Sequence, residues 1–154
     1  VCTGNICRSP MAEGLLAKQL PDALKPVVSV SSAGTHGLFG NPAEPSAVRA
    51  AAAYGADISR HRARPLDARI IRSADLVLGM EQYHLDYVNS LLIFRCKYAR
   101  LLGAFDRKMQ DDALEIDDPY GLRFSAYEAA AAEIQACIPG VIDYISGQLD
   151  LKAS

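Results

Sequence analysis

Runs of apolar and β-branched residues alternate with amphipathic runs of helical spacing along the 154-residue chain. The apolar and β-branched runs favour strands, and they span residues 26–34, 74–80 and 97–105. The other runs favour helices, and they span residues 9–20, 45–56, 66–74, 81–93 and 125–149. Strands that alternate with helices form parallel sheets covered by helices on both faces, so the sequence predicts an α/β fold.

The first polar stretch begins at Cys2, and no strand stands in front of it, although such a stretch usually follows a central parallel strand. We therefore expect a parallel four-stranded sheet whose first central strand is missing from the chain as given. About 6–9 further residues are expected upstream of Val1, which is the length of one strand. No internal repeat and no shift in composition marks a linker, so residues 1–154 are expected to form a single domain.

Several residues mark the ends of the predicted helices. Ser9 is expected to cap the first helix, with Pro10 at its first position, and Gly55 is expected to close the second. Pro139 is expected to kink the last helix or to break it into two pieces. The polar composition of residues 106–121 predicts a loop.

The composition argues against several classes of protein. Half of the residues are hydrophobic and the net charge is −2, which does not suit a protein that binds nucleic acid by electrostatic attraction. No apolar run reaches the roughly 18 residues of a membrane span, and the first residues lack the form of a signal peptide. We therefore expect a cytoplasmic protein.

The four cysteines do not form the pattern of a disulfide-stabilised secreted domain, because the chain is long enough to bury a core. A zinc site is not expected either, since Cys2 and Cys7 are five positions apart and the three histidines are scattered singly. In a reducing compartment each cysteine is either a small core residue or a reactive thiol. Cys96 and Cys137 are expected to lie in the core.

The stretch from Cys2 to Pro10 (CTGNICRSP) has the composition of an anion-binding loop. Gly4 and Asn5 permit unusual backbone angles, so successive N–H groups can point at one centre. The positive N-terminus of the following helix and the two-pronged guanidinium of Arg8 would strengthen the attraction for a tetrahedral oxyanion. A cysteine at the rim of such a loop is expected to be a thiolate, a nucleophile placed beneath a bound phosphate. The loop lacks the Gly-Lys-Ser/Thr of a nucleotide-binding Walker loop.

The alternative interpretation of this stretch is structural, with both cysteines buried in the core and Arg8 on the surface. The full string is more specific than a cysteine and an arginine six positions apart, which chance produces often. Together with segments farther along the chain, this stretch resembles the low molecular weight protein tyrosine phosphatases. The resemblance is closer to the bacterial branch of the family than to the animal one. The shared segments, in the order of the family, are VCTGNICRSPMAEGLL, SSAGTHG, GNPAEPSA, DISRHRARPL, ADLVLGME and EIDDPYG.

The resemblance implies a protein-tyrosine phosphatase that works through a cysteinyl-phosphate intermediate. Cys2 would be the nucleophile, Arg8 would hold the phosphoryl oxygens, and Asp118, which precedes a proline as in the family, would be the general acid. Asp117 is the competing candidate for the acid, and DDPYG by itself is also typical of an ordinary turn. The loop would bind the phosphate with its amides, and its other members are Thr3, Gly4, Asn5, Ile6, Cys7 and Ser9.

The resemblance also implies supporting roles for residues outside the loop. Ser32 would brace the loop by hydrogen bonding with Asn5. Leu38 and Phe39 would form one wall of the substrate cleft, and Tyr120 would form the other. Packing in the core is the commoner fate of such apolar and aromatic side chains.

Two further expectations concern reactivity near the loop. Cys7 would form a reversible disulfide with Cys2 and so protect the nucleophile from overoxidation. His61, a single histidine beside arginines, is expected to be structural. No metal and no organic cofactor is expected, because a thiolate, a guanidinium and a carboxyl suffice for the reaction.

The implied substrate is a phosphotyrosine protein, and for a bacterial enzyme it would be an autophosphorylated tyrosine kinase. A monomer or a weak dimer is expected. Two rival functions stay open on the sequence alone. A cysteine-relay arsenate reductase would need two further cysteines close together, and a non-catalytic phosphotyrosine-binding module would lack the nucleophile or the acid.

Overall fold

The computed structural model describes residues 1–106, 108 and 114–153, so part of the predicted loop at 106–121 lies outside the described residues. Five helices correspond to the five predicted ones, and they are α1 (Arg8–Gln19), α2 (Pro45–Ala52), α3 (Ala68–Ser73), α4 (Gln82–Ser90) and α5 (Phe124–Ala153). The regular strands are β1 (Val77–Gly79) and β2 (Ala99–Leu101), and a 3₁₀ helix, Leu102–Phe105, follows β2.

The strands β1 and β2 pair in parallel, with Val77 opposite Ala99 and Gly79 opposite Leu101. Parallel pairing of strands separated by a helix requires a crossover connection, and α4 supplies it. Mixed helix and sheet with parallel pairing confirms the predicted α/β class. The predicted number of four strands is not confirmed.

The first residues of the chain lie beside β1. The N-terminal amine of Val1 donates to the carbonyl oxygen of Leu78 at 2.6 Å, and the N–H of Met80 donates to the oxygen of Val1 at 3.3 Å. Isolated parallel bridges then join Cys2 to Gly34 and Gly34 to Pro65. The loop that begins at Cys2 therefore starts from the middle of this array, at the carboxyl end of β1.

The predicted strand at 26–34 is wrong. In the described part of the chain, Gly34 is its only residue in a β-bridge. A groove of about 830 Å³ is lined by residues that include 27–33 and 73–78, and within the described residues no backbone hydrogen bond joins these two segments. The β-branched residues do favour an extended chain, but a strand also needs a neighbouring backbone. The expectation of further residues upstream of Val1 stays a prediction.

The predicted strand at 97–105 is only partly correct, because β2 stops at Leu101 and the chain turns into the 3₁₀ helix. Close backbone packing accompanies this turn. A Cβ atom on Gly103 would lie 2.2 Å from the oxygen of Leu114, and one on Gly140 of α5 would lie 2.1 Å from the oxygen of Phe105. The two glycines thus allow the segment after β2 to contact its neighbours backbone to backbone.

Two clusters of buried side chains lie against the sheet. The larger joins α1, α2 and α5 and includes Met11, Ile134 and Cys137, and the smaller joins α3, α4 and β1 and includes Val77 and Cys96. Helices therefore cover both faces, as predicted. The expected core positions of Cys96 and Cys137 are confirmed, since they are 6% and 2% exposed.

The helix ends differ from the predictions in two places. The N-cap of α1 is Cys7, which makes no side-chain capping bond, and Ser9 lies inside the helix. Pro139 does not break α5, which is continuous through it. Gly55 does follow the end of α2 as predicted, with a positive φ of 77°. Among the described residues, no helix is both long and apolar enough to cross a membrane.

Candidate active site

The loop from Cys2 to Arg8, here the opening loop, turns its carbonyl groups outward. Each oxygen from Cys2 to Cys7 accepts a hydrogen bond from outside the loop, at 2.7–3.2 Å. The donors are, in order, the N–H groups of Thr35, His36 and Leu38, Nε2 of His61, and the N–H groups of Glu44 and Met11. A peptide unit whose oxygen points outward directs its N–H inward, so the loop forms a nest of donors for an anion.

Asn5 holds the curvature of this loop. Among the described residues it is the non-glycine residue with a positive φ, 57°, and it is fully buried. Its Nδ2 donates to Ser9 Oγ and Ser32 Oγ, both at 2.9 Å, and its Oδ1 accepts the N–H of Arg64 at 2.9 Å. Asparagine tolerates the left-handed region better than most residues do. The predicted contact between Asn5 and Ser32 is therefore present.

The thiol of Cys2 lies at the start of the loop, 2% exposed, with its Sγ 3.0 Å from Ser9 Oγ. Because Ser9 Oγ accepts from Asn5, its own hydrogen can be donated to the sulfur. The chain of hydrogen bonds continues from Ser32, whose hydroxyl donates to Glu13 at 2.5 Å. This network explains why Ser9 does not cap α1: its side chain supports the thiol instead.

Arg8 is buried at 1% exposure, which excludes the surface position of the structural alternative. Its Nη1 donates to the Glu81 carboxylate and, at 2.7 Å, to the oxygen of Ile116, and its Nη2 lies 3.1 Å from Asp118 Oδ2. Nε is buried and has no partner within the described residues. A buried N–H donor without a partner is costly, so Nε is a donor available to an oxyanion.

Asp118 is placed over the opening loop by its contact with Arg8. Its Oδ1 accepts the N–H of Tyr120 at 3.2 Å, and Gly121 follows with a φ of 75°. The aspartate–proline segment therefore forms a turn, and the same segment places the Asp118 carboxylate beside Arg8. Asp117 is exposed, and no contact joins it to Arg8 within the described residues. The geometry thus favours Asp118 over its neighbour as the carboxyl that serves the site.

The N-terminus of α4 carries two site residues that sequence reasoning missed: Glu81, which is the N-cap, and His84 in the first turn. They form a reciprocal capping box: the Glu81 carboxylate accepts the N–H of His84, and His84 Nδ1 accepts the N–H of Glu81 at 3.0 Å. Nε2 of His84 lies 3.0 Å from Thr3 Oγ1. Burial, aided by the positive charge of Arg8, lowers the pKa of His84 to about 4. The spacing EQYH after a buried strand was the available signal.

The predicted cleft walls lie on exposed segments that adjoin the loop. Leu38 is 44% exposed and its N–H donates to the oxygen of Gly4, while Phe39 is 82% exposed. Tyr120, on the segment of Asp118, is 58% exposed. Exposed apolar side chains beside an anion-binding loop suit an aromatic phosphate ester.

The side chains of Cys7, a member of the opening loop, and His61 face away from the thiol of Cys2 and make their contacts elsewhere. The thiol of Cys7 is buried with Sγ 4.0 Å from the hydroxyl of Tyr127, and burial raises its pKa to about 12. Nε2 of His61 donates to the oxygen of Asn5 at 2.7 Å. His61 therefore supports the loop from outside, and it does not contact the thiol of Cys2 or the guanidinium of Arg8 among the described contacts.

A cysteine and a guanidinium at the two ends of a donor nest, with a carboxyl held above them, form a site suited to binding a phosphate ester. The chain matches the family model "Low molecular weight phosphotyrosine protein phosphatase" over residues 1–150. The chain therefore belongs to this family. It is a protein-tyrosine phosphatase of the bacterial type.

Individual relatives agree with this assignment. The chain is 42% identical over 135 residues to the probable low molecular weight protein-tyrosine-phosphatase EpsP of Ralstonia solanacearum, covering 88% of this chain and 86% of EpsP. It superposes on the tyrosine phosphatase Wzb of Escherichia coli K30, solved with sulphate, with a TM-score of 0.81 and 30% identity over 94% of each chain. A variant of the YwlE arginine phosphatase with a phosphorylated active-site serine gives a TM-score of 0.79 and 26% identity, over 94% of this chain and 92% of YwlE.

Proposed function

We propose that this protein hydrolyses phosphotyrosine in proteins through a cysteinyl-phosphate intermediate. The observation that carries the proposal is the outward orientation of every carbonyl from Cys2 to Cys7, which leaves the amides to face the loop centre. A phosphoryl group there would meet donors on several sides, with the free Nε of Arg8 among them. These donors stabilise the charge that develops on the phosphoryl oxygens in the transition state.

The reaction has two steps that share one thiol. The Cys2 thiolate attacks phosphorus, the bond from phosphorus to the phenolic oxygen breaks, and Asp118 gives its proton to the leaving phenolate. Water then attacks the phosphorus, Asp118 takes its proton, and the sulfur leaves as thiolate while phosphate is released. Ser9 stabilises the anionic sulfur in both steps through its hydroxyl, 3.0 Å away.

One relative supports the binding of an oxyanion, and another supports the covalent route. The sulphate in the Wzb structure is a tetrahedral oxyanion like phosphate. The phosphorylated serine of the YwlE variant is a phosphoenzyme at the active-site position of a protein with the same fold. We carry both findings to this chain by its likeness to these proteins.

The name of YwlE adds phosphoarginine as a second candidate substrate. The residues around this opening loop favour the aromatic ester. The side chains of Ile6 and Leu38 lie on the same side of Gly4, within 3.8 Å of the position its Cβ would take, and both are apolar. A guanidinium group desolvated against such side chains would lose its hydration without gaining a charged partner, whereas a phenyl ring would be stabilised there.

The arsenate reductase alternative is not supported by the remaining cysteines. Cys96 and Cys137 belong to separate buried clusters, and burial raises the pKa of Cys137 to about 12. A relay needs neighbouring thiols that ionise readily. We take the substrate to be a phosphotyrosine protein, with an autophosphorylated bacterial tyrosine kinase as the expected kind.

Replacing Asp118 by asparagine tests the assignment of the general acid. We expect kcat on phenyl phosphate to fall about 10²- to 10⁴-fold, with a smaller loss on nitrophenyl phosphate, because nitrophenolate needs less help to leave. The decrease in rate at high pH, which reports loss of the acid proton, should disappear. The measurement is kcat against pH for both substrates.

Asp117→Asn is the matched control, because it removes the adjacent carboxyl while leaving the one that contacts Arg8. Its pH profile should stay that of the wild type. If the Asp117 variant loses the high-pH limb and the Asp118 variant keeps it, the acid is Asp117. Phosphoarginine, tested alongside, should be a poorer substrate than phosphotyrosine for the wild type.

Cys7 is expected to make oxidation of Cys2 reversible. Peroxide converts the Cys2 thiolate to a sulfenic acid, and condensation with the Cys7 thiol forms a disulfide and releases water. Because the pKa of Cys7 is raised to about 12, the thiolate fraction is small at pH 7, and this step should quicken as the pH rises. After prolonged peroxide treatment, activity should return with dithiothreitol in the wild type, whereas Cys7→Ser should recover little, because its sulfenic acid is oxidised further to a sulfinic acid that dithiothreitol does not reduce. Equal recovery of the two would remove Cys7 from this role.

A further inference from the structure

We propose that His84 is a positioning residue for the opening loop, because its imidazole joins the first turn of α4 to the hydroxyl of Thr3, the residue that follows the nucleophile. The inference rests on the proposed function for its kinetic consequences. Thr3 and His84 are 81 positions apart along the chain, and their side-chain atoms meet at 3.0 Å. The contact therefore depends on how α4 packs beside the loop.

The hydrogen bonds of His84 determine which ring nitrogen carries the proton. The N–H of Glu81 donates to Nδ1 at 3.0 Å, so Nδ1 must present a lone pair. In the neutral ring the hydrogen then lies on Nε2, and Nε2–H donates to Thr3 Oγ1. The ring is fully buried, and its lowered pKa of about 4 keeps it neutral at physiological pH. A single tautomer, and a single direction of the bond to Thr3, is thereby maintained.

This direction has a consequence for Thr3. A hydroxyl has one hydrogen and two lone pairs, and His84 occupies a lone pair, so the hydrogen stays available to the loop. The backbone of Thr3 is held from its other side, since its oxygen accepts the N–H of His36 at 3.0 Å. Gly34 lies so close that a Cβ would be 2.4 Å from the oxygen of Thr3. Backbone and side chain of Thr3 are thus fixed by different segments.

The same turn of α4 holds the other end of the loop. Glu81, the partner of His84 in the capping box, accepts from Nη1 of Arg8. One helical turn therefore orients the residue next to the nucleophile and the guanidinium that binds the phosphoryl group. A loop whose donors are fixed before the reaction stabilises the transition state without reorganisation. His84 would accordingly act on kcat through Thr3, without touching the substrate.

Two substitutions and their combination test the contact. Thr3→Val removes the hydroxyl and keeps the branched shape. His84→Asn keeps an acceptor near the N–H of Glu81, but its shorter side chain does not reach Thr3. Each variant should lower kcat about 5- to 10-fold, the size expected for one buried hydrogen bond, with KM changed by less than about 2-fold. The double variant should be no slower than the slower single variant, because both changes remove the same interaction.

Transition-state affinity separates positioning from a purely structural role. Inhibition by vanadate, which mimics five-coordinate phosphorus, should weaken in parallel with kcat in both single variants, whereas inhibition by inorganic phosphate should change little. Thr3→Ser should restore most of the activity that Thr3→Val loses. Tyr83→Phe is the matched control on the same turn, since it removes an exposed hydrogen bond to His36. It should keep the kcat of the wild type.

If the losses in the two single variants multiply in the double variant, or if vanadate and phosphate weaken alike, the inference is wrong while the phosphatase function stands. If His84→Asn does not fold, the comparison of Thr3→Val with Thr3→Ser decides. If the wild type does not hydrolyse aryl phosphates, the proposed function fails. In that case ¹⁵N spectra of the His84 ring still test the contact, because hydrogen on Nδ1 at neutral pH would overturn it.

Discussion

Cys2→Ser is expected to lower the turnover of an aryl phosphate by roughly 10⁴- to 10⁶-fold, as removal of a catalytic nucleophile does elsewhere. A serine hydroxyl stays protonated at neutral pH and is a poor nucleophile, and in the described part of the chain the printed side-chain contact of Cys2 is a hydroxyl, which cannot act as the base. The oxygen would keep the contact with Ser9 that the sulfur makes at 3.0 Å. The donor nest should persist, so binding of phosphate, measured by calorimetry, should stay within about threefold of the wild type.

The matched control is Cys137→Ser, which changes a buried thiol in α5. Its Sγ donates to the oxygen of Glu133 at 3.2 Å, and a hydroxyl can make the same bond. Turnover should stay that of the wild type. Residual turnover above about one hundredth in Cys2→Ser would contradict the nucleophile assignment, because the oxygen cannot replace a thiolate to that extent.

The second large effect is expected at Arg8. Arg8→Lys keeps the charge but loses the planar fork that engages two oxygens at once, so kcat/KM should fall roughly 10²- to 10³-fold. Arg8→Ala should reduce it further, since it removes the guanidinium that would bind the phosphoryl group. Steady-state kinetics on an aryl phosphate measure both losses.

Arg8→Ala should also lower the free energy of unfolding. It leaves the Glu81 carboxylate without its cation, and because that side chain is about one third exposed, the cost should be about 1–3 kcal/mol. Adding Glu81→Gln should recover part of the stability and none of the activity. Urea denaturation measures the first quantity, and kinetics measure the second. An Arg8→Lys enzyme within tenfold of the wild type would show that the fork is not needed.

Local sequence patterns were sufficient for the helices but not for the sheet. All five helices lie where apolar spacing and helix-forming residues predict them, since a helix satisfies its backbone within one segment. The segment 26–34 has strong strand formers and still forms no ladder, because a strand depends on a second backbone far along the chain. The break at Pro139, one of the two predicted outcomes, does not occur, and the reason is related. The packing of α5 beside α1, α2 and the 3₁₀ helix keeps the helix continuous around the proline.

For the site residues, too, local sequence patterns were sufficient for some assignments and long-range contacts decided the others. Ser9 precedes a proline and has the local form of a cap, but the curled loop brings its hydroxyl to Cys2 and Asn5. The spacing of Glu81 and His84 indicates a helix start but does not by itself assign them to the site. They belong to the site because they follow β1 directly, and the opening loop begins beside the carboxyl end of β1.

The order of amino acids alone specifies the reactive set of thiol, guanidinium and amide-rich loop, because Cys2 and Arg8 are brought together by the short turn between them. Which carboxylates face that guanidinium is a property of the folded chain. Glu81 is 73 positions from Arg8, and Asp118 lies on a separate loop. Their approach depends on the packing of helices around the parallel sheet. Water and salt screen electrostatic attraction beyond about 10 Å, so these charges interact strongly only because the packing brings them together.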